Sequence, residues 1–319
     1  MLPFLGDELI AQTETMKKSV PIVLAVALFS SGCSTVSLLY RNADWYLQHR
    51  IDGYVSFNAG QEATIRREIS VYLNWHRKHA LPEYINFLQN LNGAAQYEGP
   101  LKSDRIAQLG AQLHDLYRKT LQPAVRPAAE ILSSLDSRQI RELGDNLAKE
   151  NRKQMQELRE MGRAGYLDKR ADDTLDFLEG LVGDLSREQR KQIREMSRRL
   201  PAVREIYLEQ RYANQRRLIG MLNEHAGADR VGTFLSLWLL DPDATRTSRQ
   251  QIAIHAFETA SDEMVARIQW MLTARQKAHL NKQLSRYIDE LRKLGAGIKA
   301  TGSESGIDPA AQSRPGANR

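Results

Sequence analysis

Apolar residues recur three or four positions apart over most of this chain, the period of a helix that buries one face. Within residues 58–91, Ile65, Ile69, Tyr72, His76, Ala80, Tyr84, Phe87, Leu88 and Leu91 make one stripe. The spacing returns in Ile140, Leu143, Leu147, Leu158 and Met161, and then in Ile193, Met196, Leu200, Val203, Tyr207 and Leu218. A last stripe joins Leu280, Leu284, Tyr287, Ile288, Leu291 and Leu294. Alternating strand patterns and hairpin turn signals are missing from the pattern. The prediction is an all-α fold, an elongated bundle of about seven to nine helices in which these stripes form core.

Pro82 and Pro201 fall inside two long patterns and should kink or break their helices, because proline lacks the amide proton and crowds the preceding turn. Loops are expected near residues 92–100, 163–167 and 241–243. The apolar run 231–240 contains Trp238 and is too short to span a bilayer, so it reads as a buried helix. From residue 296 to 319 the periodicity gives way to Gly, Ser, Ala and Pro, and that tail is expected to be disordered.

Four short segments share a form: Phe57 to Gln61, Leu135 to Gln139, Leu185 to Gln189 and Leu272 to Gln276. In each, an apolar residue precedes a capping residue (Asn58, Asp136, Ser186 or Thr273), and a glutamine stands three positions beyond the cap. That is a capping box, and each should stabilise a helix start by about 1 kcal/mol.

The segment beginning at Met16 has a basic start (Lys17, Lys18), a ten-residue apolar run from 20 to 29, and then small residues, the three-part layout of a secretory signal. Residues 1–15 hold Asp7, Glu8 and Glu14 with no basic residue, so Met16 is the expected start of translation. The expected division is a signal peptide over 1–32, a helical domain over 33–295 and the tail over 296–319. Cys33 is the single cysteine, so the exported chain cannot form an internal disulfide. Residues 1–32 carry two lysines against three acids, so their removal raises the formal charge from +6 to +7. A basic envelope protein suits anionic lipid, lipopolysaccharide, peptidoglycan or another envelope protein as partner, and not nucleic acid, and a basic surface that is simply solvated is the equal alternative.

Ser30-Ser31-Gly32-Cys33 resembles the lipobox of bacterial lipoproteins, with Ser30 standing where that family usually has Leu. The resemblance implies cleavage between Gly32 and Cys33, diacylglyceryl and acyl chains on Cys33, and an anchor in the outer membrane facing the periplasm. Tyr40-Arg41-Asn42-Ala43-Asp44-Trp45, Trp75-His76-Arg77 and Leu81-Pro82-Glu83-Tyr84 are similar to elements of a family of uncharacterised proteobacterial lipoproteins. That similarity implies a lipoprotein and no particular activity. The Leu-Thr-x-x-Gln form at 272–276 resembles the motif of Spy and CpxP type periplasmic chaperones and stress sensors.

His76, His79 and Glu83 lie three and four residues apart, a spacing that can bring them to one helix face as an open metal site or a pH-sensitive contact. A histidine on an apolar stripe equally reads as core. Phosphate loops, zinc-protease helices, nucleophile elbows and di-iron motifs are missing from the sequence, which calls for no cofactor and points away from an enzyme. Arginines in 187–204 and 211–217 interleave with Glu188, Glu195 and Glu205 and read as solvated faces. Tyr207 and Tyr212 with neighbouring arginines form an alternative sugar- or lipid-facing patch. Trp45 is expected to pack in the first helix pair, with membrane headgroup contact as the other reading. The expectation is a lipid-anchored envelope protein with a binding or structural role. The alternatives are a tethered chaperone or stress sensor and, last, a metal-dependent enzyme.

Overall fold

A computed structural model describes residue 40 and residues 42–301, with side chains as far as residue 296. The expected signal peptide, the expected Gly32–Cys33 cleavage site and residues 302–319 of the expected tail lie outside the described residues. The described chain is helical almost throughout and contains no strand. In order it forms α1 (Ala43–Asp52), α2 (Ala59–Trp75), a π turn (His76–Ala80) and α3 (Leu81–Gln96). Then follow α4 (Ser103–Ser133), α5 (Ser137–Val182), α6 (Arg187–Arg199) and α7 (Arg204–Asn223). The chain continues with α8 (Ala228–Leu240), a 3₁₀ turn (Pro242–Thr245), α9 (Ser248–Met271) and α10 (Ala274–Thr301). The last helix therefore runs on past residue 296, where the apolar periodicity stops.

Proline and glycine set the breaks. Ahead of Pro82 the helix widens instead of ending: the Leu81 amide bonds the His76 carbonyl five residues back. A π turn of this kind moves the preceding carbonyls away from the proline ring, so α2 and α3 run on as one rod. Pro201 does break its helix, since α6 stops at Arg199 and α7 begins at Arg204. The loop expected at 163–167 is absent there. Its place is taken by a single non-helical residue, Gly162, at φ 65° and ψ 171° inside α5. Gly183 ends α5 at φ 77° and ψ −164°. Side chains are essentially excluded from this region of backbone space, which explains why both positions are glycine.

Two main core clusters lie along the molecule. The first joins Val55, between α1 and α2, to Val125 and Ala129 of α4, Ile140 and Leu143 of α5, Leu218 and Leu222 of α7, and Val231, Phe234 and Leu235 of α8. The second joins Ala95 of α3, Leu175 and Val182 of α5, Ile193 of α6, Ile268 of α9, and Leu280, Leu284 and Tyr287 of α10. α5 contributes to both, its first half to one and its last turns to the other. The run 231–240 is a core helix as expected, whereas Met161, expected in a stripe, is 37% exposed beside the break at Gly162.

The four capping boxes all form. In each, the glutamine backbone amide donates to the cap side chain and the cap's own amide donates to the glutamine Oε1. The boxes then meet in pairs. Gln61 Nε2 donates to Gln139 Oε1 at 3.1 Å, and Gln139 Nε2 donates back to Gln61 Oε1 at 2.7 Å. Gln189 and Gln276 exchange the same bonds at 2.9 and 3.0 Å.

Each Nε2 also reaches a carbonyl two residues ahead of the partner's cap. Gln61 reaches Ser134, Gln139 reaches Ser56, Gln189 reaches Met271, and Gln276 reaches Asp184. Every donor and acceptor of each amide is thereby used. One clasp joins the starts of α2 and α5 beside the first core, and the other joins the starts of α6 and α10 beside the second. A fifth box, Thr247 with Gln250, starts α9 and went unread because Arg246, not an apolar residue, precedes it.

One more buried joint ends α6. Arg170 is 2% exposed and donates to the carbonyls of Ser197 (2.6 Å), Leu200 (2.9 Å) and Pro201 (2.9 Å). Carbonyls at a helix C-terminus carry partial negative charge, so this cation is placed where the helix end favours it.

Gly162→Ala and Gly183→Ala should each destabilise the protein by about 1–3 kcal/mol, since each forces a Cβ into a backbone region that disfavours it. Urea unfolding followed by circular dichroism checks this. Gly93→Ala, on the ordinary helical backbone of α3 with open space around it, should cost nothing or stabilise.

Candidate functional site

His76, singled out by sequence, sits in the π turn with 7% of its surface exposed. Its ring is held from both sides: Nδ1 lies 2.8 Å from the Tyr40 hydroxyl and Nε2 lies 3.3 Å from the Tyr84 hydroxyl. The Tyr84 hydroxyl is 2.9 Å from Thr120 Oγ1, and Thr120 spends its one proton on the Leu116 carbonyl at 2.8 Å. The directions therefore follow. Tyr84 donates to Thr120, His76 donates from Nε2 to Tyr84, and Tyr40 donates to the bare Nδ1. Tyr72 completes the cluster by donating to the Thr120 carbonyl at 3.3 Å.

Burial governs the chemistry here. It lowers the His76 pKa from 6.5 to about 4, with help from the Arg77 charge. Burial also raises Tyr40 to about 12 and pushes Tyr72 and Tyr84 upward. The cluster is therefore neutral through the physiological range. It joins three stretches of chain: residue 40, the rod made by α2, the π turn and α3, and the middle of α4.

The three proposed ligands do not converge. His79 turns outward, with Nδ1 bonded to the Trp75 carbonyl at 3.0 Å and its ring stacked on Trp75 at 5.6 Å. Glu83 faces Lys119 of α4 at 3.9 Å. The widened turn sets His76 and His79 on different faces, which the plain three-four spacing did not foresee. Among the described residues no group of three His, Cys, Asp or Glu side chains is arranged to hold a metal ion.

α6 carries six cations and two carboxylates over thirteen residues and faces a shallow open cleft lined by Arg187, Arg190, Lys191, Arg194, Glu195 and Arg198. Its partners differ from those expected. Arg190 pairs with Glu179 (2.6 Å), Arg194 with Asp172, and Arg198 with Asp168 (2.8 Å), all on α5. Within α6 only Arg199 reaches Glu195, at 4.0 Å. Arg187 and Lys191 are exposed, and no carboxylate pairs with either among the described residues.

The alternative reading of Tyr207 and Tyr212 as one patch is not met by the geometry. Five residues of helix turn them to different sides: Tyr207 packs at the Leu200, Val203 and Phe257 core, while Tyr212 is 44% exposed under Arg216. Trp45 likewise departs from its expected packing, being 66% exposed and stacked on His49. Sequence reading missed the polar joint between α5 and α7, where Arg204 and Arg211 donate to Gln154 at 3.0 and 2.8 Å and Arg211 also donates to Asn151 at 2.9 Å. Its members are scattered over 151–211 with no local motif to mark them.

The described residues make an all-helical body, and its fold class is all-α. Residues 53–241 match a family of unknown function (DUF6279), and the chain belongs to that family. The match runs from just after α1 through α8, so it holds His76, Tyr72, Tyr84 and Thr120 but not Tyr40, holds the first clasp and α6, and stops short of Thr273 and Gln276. No curated protein and no solved structure matches the chain.

His76 gives a pH prediction. Its folded pKa lies below the unfolded value, so the unfolded chain binds more protons between about 4 and 6.5. Stability should be complete above pH 6.5 and fall on the order of 2 kcal/mol as pH drops to 4. Urea titrations across this window should show a flatter profile for His76→Phe than for the native protein, and equal slopes would remove His76 as the source.

Proposed function

We propose that this protein is a lipid-anchored binding protein of the bacterial envelope, tethered through Cys33 and engaging an anionic envelope component with the outer face of α6. The anchor part rests on the signal layout from Met16 and on the Ser30 to Cys33 segment. Among the described residues no helix is long and apolar enough to cross a membrane. In this reading two or three acyl chains supply the attachment, at about 0.8 kcal/mol per buried methylene. The periplasmic face of the outer membrane is the proposed location, because Ser34 rather than Asp follows the cysteine.

The observation that carries the binding part is the disposition of charge on α6. Three of its arginines are held by α5 carboxylates, which fixes the helix with Arg187 and Lys191 turned outward and uncompensated. Two fixed cations at (i, i+4) spacing on a rigid helix suit a phosphate- or carboxylate-bearing surface such as lipopolysaccharide, peptidoglycan or an acidic protein. The chaperone alternative loses its motif support, since the glutamine repeats are spent on holding helix starts together and none is directed at a client.

A photocrosslinking residue placed at Glu195, one turn from Lys191 on the same α6 cleft, should give a discrete adduct in the native lipoprotein in cells. Arg187→Glu should reduce that adduct at least several-fold. Crosslinks to abundant bystanders alone would overturn the binding part.

A further inference from the structure

We infer that α1 lies in the headgroup layer of the membrane and that Trp45 is its contact, with zwitterionic phospholipid as the ligand. The inference rests on the proposed anchor at Cys33 and adds a second, peptide-borne contact to it. α1 is ten residues long and packs on α2 with Tyr46, Leu47 and Ile51 half-buried, while none of its residues is fully buried. Its largest apolar side chain, Trp45, is 66% exposed, and the His49 ring lies almost parallel to it at 5.2 Å. The stack presents an exposed indole backed by a polar imidazole, an amphipathic pair of the kind that favours the headgroup level.

Chain length fixes what covers that surface. Tyr40 is pinned to His76, and α1 begins three residues later. Tyr40 lies seven residue steps beyond Cys33, so an extended chain spans at most about 25 Å between the anchored lipid and that pin. The first turn of α1 is therefore held close to the bilayer whatever path the tether takes. Lys78, exposed on the same π turn that receives Tyr40, supplies a cation for lipid phosphate. Asp44 and Asp52 against Arg50 leave α1 with one net negative charge, which suits zwitterionic lipid better than a strongly anionic surface.

The test uses the full lipidated protein reconstituted in phosphatidylcholine–phosphatidylethanolamine vesicles, with and without brominated phosphatidylcholine. Brominated lipid should quench part of the native tryptophan emission. Trp45→Ala should abolish the quenchable part, and Trp270→Ala, which removes the other strongly exposed tryptophan, should leave it intact. Quenching that survives in Trp45→Ala, or no quenching in protein whose mass shows the acyl chains, overturns this inference and leaves the anchor standing. A purified protein without lipid mass overturns the anchor and this inference together.

Discussion

The helices of this protein are held in register by a side-chain amide doing two jobs at once. Each clasp glutamine accepts from the backbone of its own helix start and donates to the helix start opposite. Glutamate could close a capping box, yet an ionised carboxylate has no proton to donate across, and alanine offers neither group. The requirement for donor and acceptor on one short planar group selects glutamine. It also ties residues 78 and 87 positions apart into two fixed points, one at each core.

The remaining architecture is spaced by these points. α5 leaves the first clasp at Asp136, breaks at Gly162, and reaches the second clasp through Gly183, whose carbonyl neighbour Asp184 accepts from Gln276. On the way it carries Arg170, which closes the end of α6, and the acids that hold the α6 arginines. Those surface pairs are roughly half exposed, and pairs of that kind contribute little energy individually. Their consequence is orientation, because they decide which cations of α6 face outward.

Local chemistry was legible in the sequence and long-range chemistry was not. The stripes through Ile65, Ile140, Ile193 and Leu284 identified core positions because burial imposes a period on them. The boxes were legible for the same reason, each being complete within five residues. That two boxes meet could not be read, because the meeting depends on helix lengths and on breaks at Gly162 and Pro201. His76 was found and its partners were missed, since Tyr40 and Thr120 lie 36 and 44 positions away on other elements. The spacing argument for a metal site failed at one turn, where Pro82 widened the helix and separated His79 from His76.

The proposed binding and membrane contacts fall at two outward-facing features that the internal network leaves over: the cations Arg187 and Lys191, and the Trp45 face of α1. Both depend on a body stiff enough to present them. The claim that the clasps supply that stiffness is tested by double-mutant cycles in urea unfolding, using Gln61→Ala with Gln139→Ala and Gln189→Ala with Gln276→Ala. The account predicts coupling of about 1 kcal/mol or more within each pair, with near-additivity for the mismatched pair Gln61 and Gln276. Additive losses within the matched pairs would show that the boxes act only as separate helix caps, and would contradict it.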